Sequence, residues 1–573
     1  MRAGILVTLF VLSIFGGRLL QIQGLDADAL AKDAYNQRTA KRALYAQRGD
    51  IVDASGASLA TTYERVDIYF DQNLVGLPRR TATGAPQVKG VSAVAADLSP
   101  LLGLPVDKVQ AKLTGTSKGA LLASQVMPEV ARKIMRLNIP GFDYRQASRR
   151  VYPAGDLAAN LLGFQAKNGV VWGGLEAKYD ALLKGTDGSI RYERGKDGAQ
   201  IPTGVTEEVD PLDGATVQTT LLRDLQWQAQ QLLAAKVAAT KSEWGAAAVI
   251  EVKTGNVLAL ATAPTFDPNN PGQARPADTG DRALSDVFEP GSTAKVITLS
   301  AALQERTTTP LSQITVPPTL HKAGHTFNDA ETHGTEQLTT AGVLAKSSNI
   351  GTMLIGEQVP PAAMEKYQRL FGLGAPTGIG LPESKGILAP SVTWNDTQRY
   401  TVLFGQGLSV TVLQAAQVFA TLANGGVRIQ PTLVSGWTDA DGSRHSAPAP
   451  TTTTVVSPQT ARSMIDMMEG VVVEGGTAVK AAIPGYRVAG KTGTAQRADP
   501  TCGCYRGYTA SFIGMAPADD PQLVIAVVLQ NPVNGHFGGE IAAPVFQQLM
   551  SYALKLRKVA PSGTPSPAIP TTW

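Results

Sequence analysis

At 573 residues the chain is too long for one ordinary domain, and its 43% hydrophobic content is enough for two or three packed cores. Lysine plus arginine exceed the acids by only 51 − 47 = 4, a surplus too small for a nucleic-acid-binding surface, and the composition is neither disordered nor collagen-like. Two cysteines exclude a disulfide scaffold. Their spacing, Cys502-Gly503-Cys504, lacks the paired pattern of a zinc ribbon, and two structural thiols are preferred to a strained bridge in an oxidising compartment.

The N-terminal run "AGILVTLFVLSIFGG", residues 3–17, carries no charge, and after Arg18 the run "LLQIQGL" is uncharged to Leu25. As a helix these residues span roughly 34 Å, enough to cross a bilayer, and a single arginine near the end can snorkel. A retained anchor is preferred to a cleaved signal peptide, although "ADALA" at 27–31 offers small-residue cleavage sites, because the apolar stretch continues past Arg18. Arg2 favours a cytoplasmic N-terminus. Either reading exports the rest of the chain.

Residues 26–215 are mixed. "QRGDIVDASGASLA" reads as strand, turn and strand, "LPRRTATGAPQVKG" (77–90) as an exposed loop, and "LAANLLGF" and "GGLEAKYDALLKG" as short helical pieces, the last ending at Gly185. From 221 to 239, "LLRDLQWQAQQLLAAKVAA" has helical spacing. "GAAAVIEV" and "NVLALATA" read as strands, as do "YRVAGKTGTA", "YTASFIGMA" and "QLVIAVVLQ" near the C-terminus, before the amphipathic helix "AAPVFQQLMSYALKLRK". The long stretch between the two strand groups is largely helical in pattern. The simplest architecture is an antiparallel sheet flanked by helices, with a helical subdomain inserted between its second and third strands. The proline-rich end, 558–573, is expected to be disordered.

Lys-Thr-Gly occurs twice. At Lys253-Thr254-Gly255 it sits between two strands, where a tight turn explains it. The second copy, Lys491-Thr492-Gly493, has company. "FEPGSTAKVITLS" contains Ser292 and Lys295, one turn apart if Pro290-Gly291 opens a helix. Serine needs a neighbouring base, and lysine serves only if its pKa falls from about 10.4 to about 7–8, a shift costing on the order of 4 kcal/mol. Burial and a second cation, Lys491, would supply it. "VLAKSSNIGT" adds Ser347 and Asn349, a hydroxyl and an amide. Each motif is weak alone; the three in this order are not.

Ser-x-x-Lys, Ser-x-Asn and Lys-Thr-Gly in this order resemble the penicillin-binding proteins. The chain looks like a class B penicillin-binding protein over most of its length. "GRLLQIQ" with "QRGDIVDASGASLAT", "VYPAGDLAANLLGF" and "GGLEAKYDALLKGTDG" are similar to the family's anchor and pedestal. "VLALATAPTFDPNNP", "FGQGLSVTVLQAAQVFATLANGG" and "TASFIGMAPADDPQLVIAVVLQNP" are similar to its transpeptidase domain. "DPTCGCYRGYTASF" resembles septal, cell-division members from actinobacteria.

The resemblance implies a multidomain α+β chain. A short tail and transmembrane anchor would occupy 1–25, an elongated pedestal or dimerisation-like domain 26–215, and a penicillin-binding/β-lactamase-like transpeptidase domain 216–557. It implies that Ser292 attacks the penultimate D-Ala carbonyl of a peptidoglycan stem peptide and that Lys295 takes its proton. Ser347 and Asn349 would relay protons and orient substrate, and Lys491 would hold the electrostatics. Thr492, Gly493 and Thr494 would bind substrate, with the Ser292 and Thr494 amides as oxyanion hole, a donor there being worth about 3–4 kcal/mol. It implies no cofactor. Its partners would be nascent glycan strands, β-lactams, a polytopic glycan polymerase and other division proteins, met from a single-pass anchor with the catalytic domain outside the cytoplasm.

Competing readings fit less well. A class A β-lactamase carries glutamate with asparagine four residues on; here Glu383 is followed at that offset by Ile387. No acidic glycosyltransferase motif precedes the sheet. An elongation-type transpeptidase, and a sensor that is acylated without transferring, stay open. "HKAGHTFNDAETHG", with His321, His325, Asp329, Glu331 and His333, has zinc-like spacing, but Gly324 argues for a loop, so no metal is assigned.

Overall fold

An apolar helix opens the chain, Arg2–Leu20, continued by a π turn to Leu25, and none of its residues is buried. Its 24 residues are long and apolar enough to cross a membrane. The computed structural model describes residues 2–76, 79–80, 86–87, 90–193, 195, 201, 203–204, 206–499 and 501–573. The loop expected at 77–90 lies largely outside them.

Internal contacts divide the chain into two units. One comprises Met1–Gly49, Thr62–Arg149 and Ala181–Ala215; the other comprises Asp50–Thr61, Arg150–Asp180 and Thr216–Trp573. The first has its own core. Val66, Ile68 and Phe70 alternate along one strand and so share a face, which the helices Val91–Leu102, Val106–Leu113 and Pro128–Arg136 cover with Val94, Leu98, Val109 and Ile134. That strand pairs antiparallel with Ala120–Val126.

Residues 150–180, expected in the pedestal, group with the larger unit. Arg150 and Glu176 form a buried ion pair at 2.6 Å, Tyr152 Oη donates to the same carboxylate at 3.2 Å, and Asn269 Oδ1 accepts from the Tyr152 amide at 3.0 Å. The ion pair braces the segment internally, and Asn269, which also donates to Tyr152 O at 3.0 Å, ties it to the larger unit.

The larger unit is built on a five-stranded antiparallel sheet: β1 (Trp244–Glu251), β2 (Val257–Ala263), β3 (Ala489–Asp499), β4 (Cys504–Ala516) and β5 (Leu523–Gln530), in the order β2-β1-β5-β4-β3. Every residue of β2 and β5 is buried, because helices cover both faces. The main helices of this unit are α1 (Arg223–Thr240), α2 (Lys295–Gln304), α3 (Asn349–Gly356), α4 (Val412–Ala423), α5 (Pro458–Glu469) and α6 (Ala543–Leu556); α1, α4, α5 and α6 contact the sheet, and α2 packs on α3 and α5. Helices α1 and α6 pack on each other and on the sheet, and α4 packs on β1, β4 and β5. Helices α2 to α5 lie in the segment between β2 and β3, as the pattern predicts.

The end of the chain is ordered, against expectation. Thr339 donates through its amide to Thr571 O (3.0 Å) and through its hydroxyl to Pro570 O (2.6 Å), and Leu338 bridges Thr572. Ser562 donates to Gly485 O, and Asp519 Oδ2 accepts from the Gly563 amide. Proline removes donors but leaves carbonyls, and here neighbouring strands and loops supply the donors.

Candidate active site

The first motif sits where sequence placed it, with one difference. Pro290 caps a single 3-10 turn, Gly291–Ala294, and only then does α2 begin at Lys295. The Lys295 amide donates to the Ser292 carbonyl, closing the turn. In such a turn positions i and i+3 eclipse, so both side chains leave the same face. Ser292 is half-buried and Lys295 is fully buried. Among the described residues, neither the amide nor the hydroxyl of Ser292 has a hydrogen-bond partner.

Ser347 and Asn349 form the turn into α3. Ser347 holds φ +63°, a left-handed conformation that costs a side-chain-bearing residue about 1–2 kcal/mol. Such strain persists only where surroundings enforce it. The enforcing groups are lysines from the other two motifs. Lys295 Nζ donates to the Ser347 carbonyl at 2.5 Å and approaches its hydroxyl at 3.4 Å; Lys491 Nζ donates to that hydroxyl at 2.8 Å. Asn349 donates through Nδ2 to Asn328 O at 3.1 Å.

Lys491, Thr492, Gly493 and Thr494 lie on β3, opposite Ile513, Phe512, Ser511 and Ala510. Because β3 is the last strand of the sheet, alternate backbone groups on its outer side have no ladder partner. Thr492 Oγ1 meets Thr477 Oγ1 at 2.8 Å, and Thr494 Oγ1 accepts from the Gly538 amide at 3.2 Å. Gly493 carries the close approach of the Ser292 turn. A Cβ there would lie 2.3 Å from Ser511 Oγ and 3.0 Å from Pro290 O.

Two lysines share this dry pocket. Burial pushes the Lys295 pKa down to about 7, against the upward pull of the Asp329 carboxylate. Burial, and then the charge of Lys295, hold Lys491 well below the ordinary lysine range. Both amines are thus held below the ordinary lysine range, and the Ser347 hydroxyl lies between them.

Several neighbours escaped the sequence reading. Glu289 accepts from the Gly407 amide (3.0 Å) and from Tyr505 Oη (3.2 Å), tying β4 to the residue three before Ser292. Burial, the first cause, and Glu289 push Tyr505 up to about 12. Asp329, considered only as a metal ligand, instead grips the start of α3. Among the described residues no three His, Cys, Asp or Glu side chains gather as a metal site. Glu383 accepts from the Thr377 and Gly378 amides, both at 2.8 Å, which makes it a loop anchor. Cys502 and Cys504 are disulfide-bonded, where two thiols were expected. The turn between β3 and β4 brings their Cα atoms to 5.2 Å, within disulfide reach.

Comparison with known proteins agrees with this geometry. Residues 245–551 match the penicillin binding protein transpeptidase domain, and residues 43–219 match the penicillin-binding protein dimerisation domain. This chain belongs to the penicillin-binding proteins. Penicillin-binding protein PbpB of Mycolicibacterium smegmatis is 36% identical, over 99% of this chain and 92% of its own length. Peptidoglycan D,D-transpeptidase FtsI of Escherichia coli K12 is 33% identical, over 96% and 91%. Penicillin binding protein 3 of Mycobacterium tuberculosis, solved in complex with aztreonam, superimposes with a TM-score of 0.71 at 30% identity, over 93% of this chain and all of that one. As a penicillin-binding protein the chain is a transpeptidase with an N-terminal dimerisation domain. The helix Arg2–Leu25 fits a membrane-anchored member.

Proposed function

We propose that this penicillin-binding protein is a septal peptidoglycan D,D-transpeptidase, anchored by one pass with its catalytic domain outside the cytoplasm. The observation that carries the reading is the convergence of Lys295 and Lys491, from two motifs, on the hydroxyl of Ser347 from the third. Ser292 Oγ attacks the penultimate D-Ala carbonyl as Lys295 Nζ takes its proton, and an Oγ–C bond forms. The Ser292 and Thr494 amides stabilise the oxyanion. The C–N bond breaks, and the leaving D-Ala nitrogen takes a proton returned across Ser347 and the lysine pair. A stem-peptide amine from a neighbouring strand then attacks the ester, Ser292 recovers its proton, and the cross-link is made. Thr492, Gly493 and Thr494 bind the donor carboxylate on the outer edge of β3, and Asn349 orients the peptide.

β-Lactams acylate the same serine and stay. The septal assignment draws on the likeness to FtsI and PbpB. A polytopic glycan polymerase and other division proteins are the partners this reading calls for. Labelling the full-length protein with a fluorescent penicillin tests it: wild type is labelled and Ser292→Ala is not. Persistent label in the variant places the nucleophile elsewhere. Transfer of a stem-peptide acyl group to an added amine separates a transpeptidase from a sensor, which would hold the acyl group.

A further inference from the structure

Helix α3 begins at the residue that follows the Ser347-Ser348 turn, and its first amides need acceptors. One side chain supplies the first two. Asp329 Oδ1 accepts from the Asn349 amide at 2.5 Å and from the Ile350 amide at 3.0 Å. Its Oδ2 accepts from Ser348 Oγ at 2.6 Å. Ser348 Oγ in turn accepts from the Gly351 amide at 2.8 Å, and the Ser348 carbonyl takes the Thr352 amide. The start of α3 is thus satisfied through one carboxylate and the residue it holds. That carboxylate is 9% exposed, and His333 Nε2 faces its Oδ2 at 3.1 Å.

The grip matters because of what lies one residue back. Ser347 sits in a left-handed conformation with its carbonyl on Lys295 and its hydroxyl on Lys491. The two lysine contacts pull on one side of the turn, and Asp329 pins the other. The charge of Asp329 also reaches the pocket, where it favours the protonated form of Lys295.

We propose that Asp329 is a positioning residue for the transpeptidase reaction: it locks the Ser347 turn between the two lysines and places a carboxylate charge beside that turn. This rests on Ser292 and Lys295 acting as nucleophile and base. The charged groups around the turn are Lys295, Lys491, His333 and the adjacent Lys346, whose amine pairs with Glu336 at 2.5 Å, and Glu336 also acts on His333. Asp329 itself touches no substrate atom in this scheme; it acts through Ser347 and Lys295.

The two functions separate by substitution. Asp329→Ala loses both. Asp329→Asn keeps the shape, since Oδ1 can still accept from the two amides and Nδ2 can donate to Ser348 Oγ, but it loses the charge. The test measures the rate constant of acylation by a fluorescent penicillin, per labelled site, from pH 5 to 9 on the full-length protein. Wild type is expected to rise with pH through about 7, where Lys295 gives up its proton. Asp329→Ala is expected to fall about 10²-fold, the cost of a displaced catalytic group. Asp329→Asn is expected to keep the wild-type plateau while its rising limb moves to lower pH, because the ammonium has lost its counter-charge.

If both variants lose only labelled fraction and thermal stability, with rate constant and pH limb unchanged, Asp329 merely supports the fold and the proposal fails. If His333→Ala abolishes the limb, the imidazole and not Lys295 sets it, which also overturns the proposal. If wild type is never labelled at Ser292, it is the transpeptidase reading that has failed.

Discussion

The two Lys-Thr-Gly sites carry the same three side chains in two environments. At residues 253–255 the tripeptide turns the chain from β1 into β2. Lys253 and Thr254 are exposed, Thr254 Oγ1 donates to Glu251 Oε2 at 2.6 Å, and the Gly255 amide closes the turn on Glu251 O at 3.0 Å. The side-chain contacts are local, and the one distant partner meets only backbone, the Thr432 amide donating to Gly255 O at 3.0 Å. At residues 491–493 the tripeptide runs straight along an edge strand. Lys491 is fully buried, and its amine reaches a hydroxyl 144 residues away. Burial beside a second lysine holds the Lys491 pKa down, and that is the environment in which an amine can exchange a proton. The difference lies in what the fold puts next to the tripeptide.

The largest effect that would break this contrast comes from removing each lysine. Lys491→Ala is expected to slow acylation by fluorescent penicillin by about 10²–10⁴-fold, the usual weight of a group that moves protons. Lys253→Ala is expected to leave the rate unchanged and to shift stability by less than about 0.5 kcal/mol. Equal effects would mean the environments do not matter.

The glycines sharpen the same point. Gly493→Ala places a Cβ against Ser511 Oγ and Pro290 O, so β3 and the Ser292 turn must separate. A displacement near 1 Å costs about 10²-fold in rate. The expected outcome is slow acylation with a thermal transition close to wild type, and a normal rate would show that the close approach is dispensable.

Much of this was legible in the residues. The order of the motifs, the strand runs before and after the inserted helices, and the apolar N-terminal helix all follow from local pattern, and local pattern is what periodicity reads. Pro290-Gly291 marked a helix start, although the first turn proved to be 3-10, a distinction that pattern does not encode. What stayed hidden is what depends on distant partners. Asp329 lies twenty residues from the amides it holds, in a segment whose histidines suggested metal. The tail at 558–573 reads as disordered because prolines make no ladder of their own; the donors it meets, such as Thr339, belong to another part of the chain. The Cys502–Cys504 bond depends on a turn that composition alone does not reveal. That Lys491 is itself pushed down follows from burial that only the packed sheet shows.

A small effect is expected at the remaining glycine, and it is the cleanest test of the first site as a turn and nothing more. Gly255 has φ +74°, where an L side chain is disfavoured by about 1–2 kcal/mol. A Cβ would also lie 2.8 Å from Ile429 Cγ2 and 2.9 Å from Gln430 O. The methyl group can be relieved by a shift of the isoleucine, but the backbone carbonyl yields less. Alanine also stiffens the unfolded chain, which returns about 0.4–1 kcal/mol. The net is a loss of about 1 kcal/mol, visible as a thermal transition lowered by a few degrees at most. Because β5 and β4 separate β1 and β2 from β3 in the sheet, and the turn touches none of the three motifs, the acylation rate constant should not move. A drop in that rate without a drop in stability would give the first tripeptide a chemical role, and the contrast between the two copies would dissolve.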